Sequence, residues 1–232
     1  MAKRESKKRS APRGYSEAER LLVVTSSMEK GNCASFKEMS QSTEMEYLKK
    51  KWSVWFQTLD GDHDGVISTK DRDISTKKFA EIRKKLESGD KSGDKRPENV
   101  KFDIEKWWND YIFRKLKGPE VKMTNDEFVN SLAEAYQKDN AAFREEMERC
   151  FEDIANFLTP DMQRNITENE FADGFKAFKF GQVDEEKIND AYKLFKAAHE
   201  QLTVQLLVDA WVQFTADVDQ SKQDIIMEIY GN

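Results

Sequence analysis

Cysteine is nearly absent. Cys33 and Cys150 are the two in 232 residues, far apart and outside any CxxC spacing, which excludes a disulfide framework and fits reduced thiols in a cytosolic protein. Long hydrophobic runs are missing as well. None approaches the ~20 residues that span a bilayer, so a transmembrane role is excluded. The first residues lack the apolar core and cleavage site of a secretory signal. Ala2 stands where N-myristoylation requires glycine, and Glu5, Glu17 and Glu19 count against a mitochondrial presequence.

What is present is a core and an acidic surface. Hydrophobic residues make up 38%, with five Trp and 15 Phe, enough for a folded chain of one large or two small domains despite 35% charged residues. The net charge of -6 is uneven. Residues 1–14 (MAKRESKKRSAPRG) carry six Lys or Arg against one Glu, so the remainder is more acidic than the total. An acidic body repels nucleic acid and suits cations. Residues 1–42 read as a basic, mostly disordered arm, able at most to serve as a nuclear-entry signal or weak surface anchor, with an apolar patch at Leu21, Leu22, Val23 and Val24.

From Glu44 onward, apolar residues recur at helical spacing. Leu48, Trp52, Trp55, Phe56 and Leu59 share one face, and Phe79, Ile82 and Leu86 another. Ile104, Trp108 and Tyr111 follow a polar connection at 88–99 (SGDKSGDKRPEN). Thr124 to Glu127 opens a helix through Phe128, Leu132 and Tyr136. Phe151, Ile154 and Leu158 form a helix that stops near Pro160, and Thr167 with Glu170 makes a capping box for the next. Tyr192 and Phe195, then Val208, Trp211 and Val212, complete the series. The expected fold is all-α, with four helix-loop-helix units near 45–86, 103–137, 147–180 and 186–216 in a compact domain over 43–232. The aromatic stripes are its core.

The stretch DGDHDGVISTKD, residues 60–71, carries the chemistry. A hard divalent cation needs six to eight oxygens, and a short loop delivers them when alternate side chains point inward around a tight turn. Laid on the twelve-residue EF-hand loop, Asp60, Asp62 and Asp64 fill the first, third and fifth positions and Gly65 makes the turn. Val66 offers its carbonyl at the seventh, Ile67 is the apolar eighth that pairs with a neighbouring loop, Ser68 acts through water at the ninth, and Asp71 closes the site at the twelfth. His63 is a solvent-facing spacer. The twelfth residue is usually a bidentate Glu; the shorter Asp favours a six-coordinate shell that suits Mg²⁺ nearly as well as Ca²⁺.

The remaining loops are degenerate. With Met123 at the eighth position Glu127 is the twelfth, but Leu116 and Gly118 stand where acids belong. With Ile166 at the eighth, Glu170 is the twelfth, behind Thr159, Asp161 and Gln163, and Arg164 replaces the glycine. Around Leu202, FKAAHEQLTVQLLVDAW has no acid series, so a fourth loop is shortened and empty.

From Glu44 to its end the chain resembles the invertebrate sarcoplasmic calcium-binding proteins, a group of four-EF-hand relatives that includes calexcitin and the coelenterate photoproteins. WxxWFQTLDGDHDGVISTKD at 52–71, EKWWNDYIF at 105–113 after a long gap, and VDAWVQF at 208–214 carry the resemblance. It implies a soluble cytoplasmic buffer of Ca²⁺ and Mg²⁺, with Asp60, Asp62, Asp64, Val66 and Asp71 as ligands; the expectation for the chain is a monomeric buffer or weak sensor without enzymatic activity. The chain departs from the family at the third unit, where members often keep a binding loop. Two other readings use the same fold. A photoprotein-like or luciferin carrier would orient its ligand with several His, Trp and Tyr groups inside a cavity, whereas the chain has only two histidines, His63 and His199, and His63 lies in the ion loop. An interaction module would expose a Met-rich groove, whereas the eight methionines are dispersed. Neither a nucleic-acid partner, membrane insertion nor a particular protein partner is indicated.

Overall fold

A computed structural model describes residues 41–89, 103–114, 116, 118, 120–159, 161–178 and 183–231. The expected arm up to residue 40, and most of the expected connection at 88–99, lie outside these residues, while residues 41 and 42, placed in the arm, already belong to a helix. Contacts divide the chain between Thr43 and Glu44, and the unit Glu44–Asn232 holds everything described below except residues 41–43.

Its elements run α1 (41–59), β1 (Val66–Ser68), α2 (Thr69–Gly89), α3 (Ile104–Trp107) continued by a π turn (Trp108–Ile112), β2 (Lys122–Thr124), α4 (Asn125–Lys138), α5 (Asn140–Leu158), α6 (Glu168–Phe178), α7 (Glu185–Ala198), α8 (Val204–Ala216) and α9 (Ile225–Tyr230). No described helix is long and apolar enough to cross a membrane.

The helical stripes meet in one core. Trp52, Trp55, Phe128, Phe143, Phe171 and Phe214 are all fully buried, each worth ~1.5–3 kcal/mol of apolar burial. Helix α5 packs mainly against α8, where the rings of Phe151 and Trp211 stack with centroids 5.2 Å apart. Polar ring atoms inside this core find carbonyls, as they must: Trp52 Nε1 donates to the Thr215 carbonyl at 2.9 Å and Tyr230 Oη to that of Phe175 at 2.6 Å.

Helix starts follow capping chemistry. Thr124 Oγ1 accepts from the Glu127 amide while the Glu127 carboxylate receives the Thr124 amide. Thr167 and Glu170 repeat the arrangement at α6. The C-terminal end of α5 falls at Leu158, with Thr159 as cap.

Three details differ from the sequence expectation. Ser88 and Gly89 belong to α2 rather than to a connection. The helix through Trp108 widens into a π turn, which lets consecutive tryptophans both be buried and both be bonded, Trp107 Nε1 to the Cys150 carbonyl and Trp108 Nε1 to Ser75 Oγ. A further helix, α9, follows the fourth unit, with Ile225, Ile226, Ile229 and Tyr230 in the core. Six residues are too short to display a helical period.

Candidate metal centre

The loop at 60–71 joins α1 to α2 and is anchored by its own short strand. β1 pairs antiparallel with β2 in the register Val66↔Thr124, Ile67↔Met123 and Ser68↔Lys122. Ile67 and Met123 are both buried. The eighth positions of the first and second loops thus face each other, and the pairing fixes where the acids stand. Gly65 turns the chain at φ 85°, a left-handed conformation that glycine adopts without the strain a Cβ brings.

Asp60, Asp62 and Asp71 converge, one carboxylate oxygen from each lying within 4.8 Å of the others. Such a cluster repels itself: two unit charges at about 4 Å cost roughly 1 kcal/mol in water and roughly 4 at an effective dielectric of 20. Backbone amides supply part of the compensation. Asp71, fully buried, accepts at Oδ1 from Gly61 and Asp62 (2.8 and 3.3 Å) and at Oδ2 from the Ser68 amide and hydroxyl (both 2.8 Å). Asp60 accepts from the Asp64 amide at 3.2 Å and the Gly65 amide at 3.0 Å. Burial pushes the Asp60 carboxyl above its usual range, and the Asp71 and Asp64 charges add to this against the two amides. The loop therefore gathers buried carboxylates that could hold a cation.

Asp64 is exposed and stays outside this group; its Oδ1 accepts from the Val66 amide at 3.0 Å. Val66 occupies the seventh position on β1. His63 is exposed, with φ 60°. The Ser68 hydroxyl, expected to act through water, is engaged with Asp71.

One partner had no signal in the spacing. Lys70 Nζ lies 2.5 Å from Asp62 Oδ2, and this bond holds the Asp62 carboxyl below its usual range. The two residues are eight apart and meet only because the loop closes on itself, so neither helical nor strand periodicity pairs them. Counting every charge inside the loop, rather than only the acids, is the one sequence signal that includes Lys70.

The other twelfth-position carboxylates are engaged elsewhere. Glu127 Oε2 accepts from both the amide and the hydroxyl of Thr124. In the third loop, Arg164 Nη1 lies 2.8 Å from Glu170 Oε1, so a guanidinium stands where an ion would sit, while Glu170 Oε2 caps α6. Burial pushes Glu170 up, but the Thr167 amide and Arg164 outweigh it and leave the carboxyl below its usual range. The third and fourth loops still pair through the bridge Asn165↔Thr203, with the Ile166 amide on the Leu202 carbonyl at 2.8 Å.

Helix-loop-helix units joined in pairs by their loops, the first loop carrying converging carboxylates, define an EF-hand protein. The sequence is 35% identical over 186 residues to the sarcoplasmic calcium-binding protein of Mizuhopecten yessoensis, across 80% of this chain and 98% of that one. The chain belongs to the sarcoplasmic calcium-binding protein family. No family model matches it. In fold it is similar to the crystal structure of the coelenterazine-binding protein from Renilla muelleri in its Ca-loaded apo form, at a TM-score of 0.54 and 14% identity, covering 82% of this chain and 98% of that one.

Proposed function

We propose that the protein is a calcium buffer or weak sensor of the cytoplasm, acting as a monomer without enzymatic activity, and that its one working site is the first loop. Asp60, Asp62, Asp64 and Asp71 supply carboxylate oxygens and Val66 its carbonyl, with Mg²⁺ competing for the same six-coordinate shell. The observation that carries this reading is the convergence of Asp60, Asp62 and Asp71 in a loop whose backbone is already set by β1 and β2. Asp64 completes the shell by releasing the Val66 amide. The family relationship to a protein named for calcium binding supports the choice of ion. The aromatic helix faces and dispersed methionines favour a buffer over an opening sensor, whose exposed groove is Met-rich. Titration calorimetry with Ca²⁺, with and without Mg²⁺, tests the reading: one site, weakened by Mg²⁺ and lost in Asp60→Ala, is expected. Binding that survives Asp60→Ala places the ion elsewhere.

A carrier of a small apolar ligand is the second reading. It draws on the structural neighbour's ligand-binding name and on a cavity of about 110 Å³ among α2, α5, α6 and α8, lined by residues such as Phe151, Ile154, Phe171, Phe175, Val208 and Trp211. A dry apolar cavity of ~150 Å³ takes a single benzene ring. The space here therefore suits nothing larger unless the helices part, and the cation reading is preferred.

A further inference from the structure

We propose that Lys70 is an affinity-setting residue of the first loop: its ammonium on Asp62 is a tethered competitor of the divalent cation. The inference rests on the reading of this loop as a calcium site. Lys70 Nζ is 2.5 Å from Asp62 Oδ2, while the lysine side chain is 69% exposed and that of Asp62 16%. The contact is thus close on the carboxylate side and free to swing into solvent on the lysine side. Asp62 has its other oxygen, Oδ1, held by the Asp64 amide at 3.3 Å, and its own amide reaches Asp71 Oδ1. Its carboxylate is therefore oriented by the backbone with or without Lys70, and the ammonium adds charge rather than shape. Four acids stand in the loop, at Asp60, Asp62, Asp64 and Asp71, and one lysine brings the net loop charge from four negative to three. EF-hand affinity follows ligand charge and rigidity. A positive charge resting on a ligand oxygen must leave, or be tolerated, when a dication arrives, and so weakens the site by competing at contact range for that carboxylate.

The neighbourhood provides its own control. Lys122 is exposed on β2 opposite Ser68, beside the same loop, and enters no ion pair among the described residues. Removing its charge changes the general field at the loop but not the contact on a ligand.

The experiment is Ca²⁺ titration calorimetry on the full chain at physiological ionic strength, comparing the wild type with Lys70→Gln, Lys70→Arg and Lys122→Gln. Thermal melts confirm that each variant folds. Lys70→Gln is expected to bind Ca²⁺ about three- to tenfold more tightly. Lys70→Arg should stay near the wild type, and Lys122→Gln should change affinity by less than about twofold, as a charge in exposed solvent is screened. Equal affinities of Lys70→Gln and wild type overturn the proposal while leaving the calcium site intact. So does an equal gain from Lys122→Gln, which assigns the effect to the general field. A wild-type chain that takes up no Ca²⁺ overturns both this inference and the reading beneath it.

Discussion

At the scale of single residues, Asp71 decides the most. It is buried, it binds four donors, and it is one methylene shorter than the glutamate usual at its position. Asp71→Glu should bring a second oxygen to the ion, tightening Ca²⁺ and weakening Mg²⁺, so that the Ca²⁺/Mg²⁺ preference rises about tenfold in competition titrations. An unchanged preference would mean that Asp71 does not close the shell. Asp60 gives a pH test. Its carboxyl is raised in the folded state, chiefly by burial, so its contribution to stability is present in acid below the unfolded value. That contribution is lost as pH rises through the folded value. Cation binding needs the ionised form. The rise in melting temperature that Ca²⁺ confers should therefore be full near neutral pH and shrink as pH falls through the raised Asp60 value into the ordinary carboxylate range, measured by thermal melts with Ca²⁺ and with chelator. A Ca²⁺ effect that stays constant down to about pH 4 would contradict the role given to Asp60. The spacing of acids made this loop legible from the sequence alone. Lys70 and Arg164 were not legible as partners, because each contact is made by closure of a loop and follows no local period; Ser68 and Asp71, by contrast, stand at the three-residue spacing of a helix cap, a signal that the ion-loop register hides.

At the scale of elements, the strand pairing joins the proposed ion loop to the second loop. Ile67 and Met123 face each other across β1 and β2 in the core. Ile67→Ala should cost roughly 2 to 4 kcal/mol in chemical denaturation and also weaken Ca²⁺, since the strand that positions Asp60 and Asp71 loses its anchor. Weakened stability with unaltered Ca²⁺ binding would show that the loop holds its shape without its partner. In the other pair, Arg164 joins the third loop to α6 through Glu170. The pair with Glu170 is only partly buried, so Arg164→Gln should cost about 1 kcal/mol and leave Ca²⁺ stoichiometry alone. Helix existence was readable because the stripes are aromatic and long. The π turn at Trp108 and the helix α9 were not: the first is a packing solution for adjacent tryptophans, and the second is shorter than two turns.

At the scale of the whole molecule, the C-terminal segment closes onto α1. Lys51 is buried, with Nζ 2.9 Å from Asp224 Oδ2 and bonded to the Gln213 and Asp217 carbonyls at 3.1 and 3.0 Å. Burial lowers its pKa and Asp224 opposes the shift. A folded pKa below the unfolded one means that protonated Lys51 is held at a cost, and that its partners offset that cost only while they remain. Asp224→Ala leaves a buried ammonium short of its counter-charge and should destabilise by roughly 3 kcal/mol, read from denaturant midpoints, with Ca²⁺ stoichiometry unchanged. Internal cations meet the acids at Lys51 and Arg164, and the proposed site for an external cation is the first loop. Native mass spectrometry of the full chain in excess Ca²⁺, run beside Asp71→Ala, tests that claim most directly. One divalent ion per wild-type chain and none in the mutant is the predicted result; two or more ions on the wild type, or an ion retained by the mutant, would contradict it.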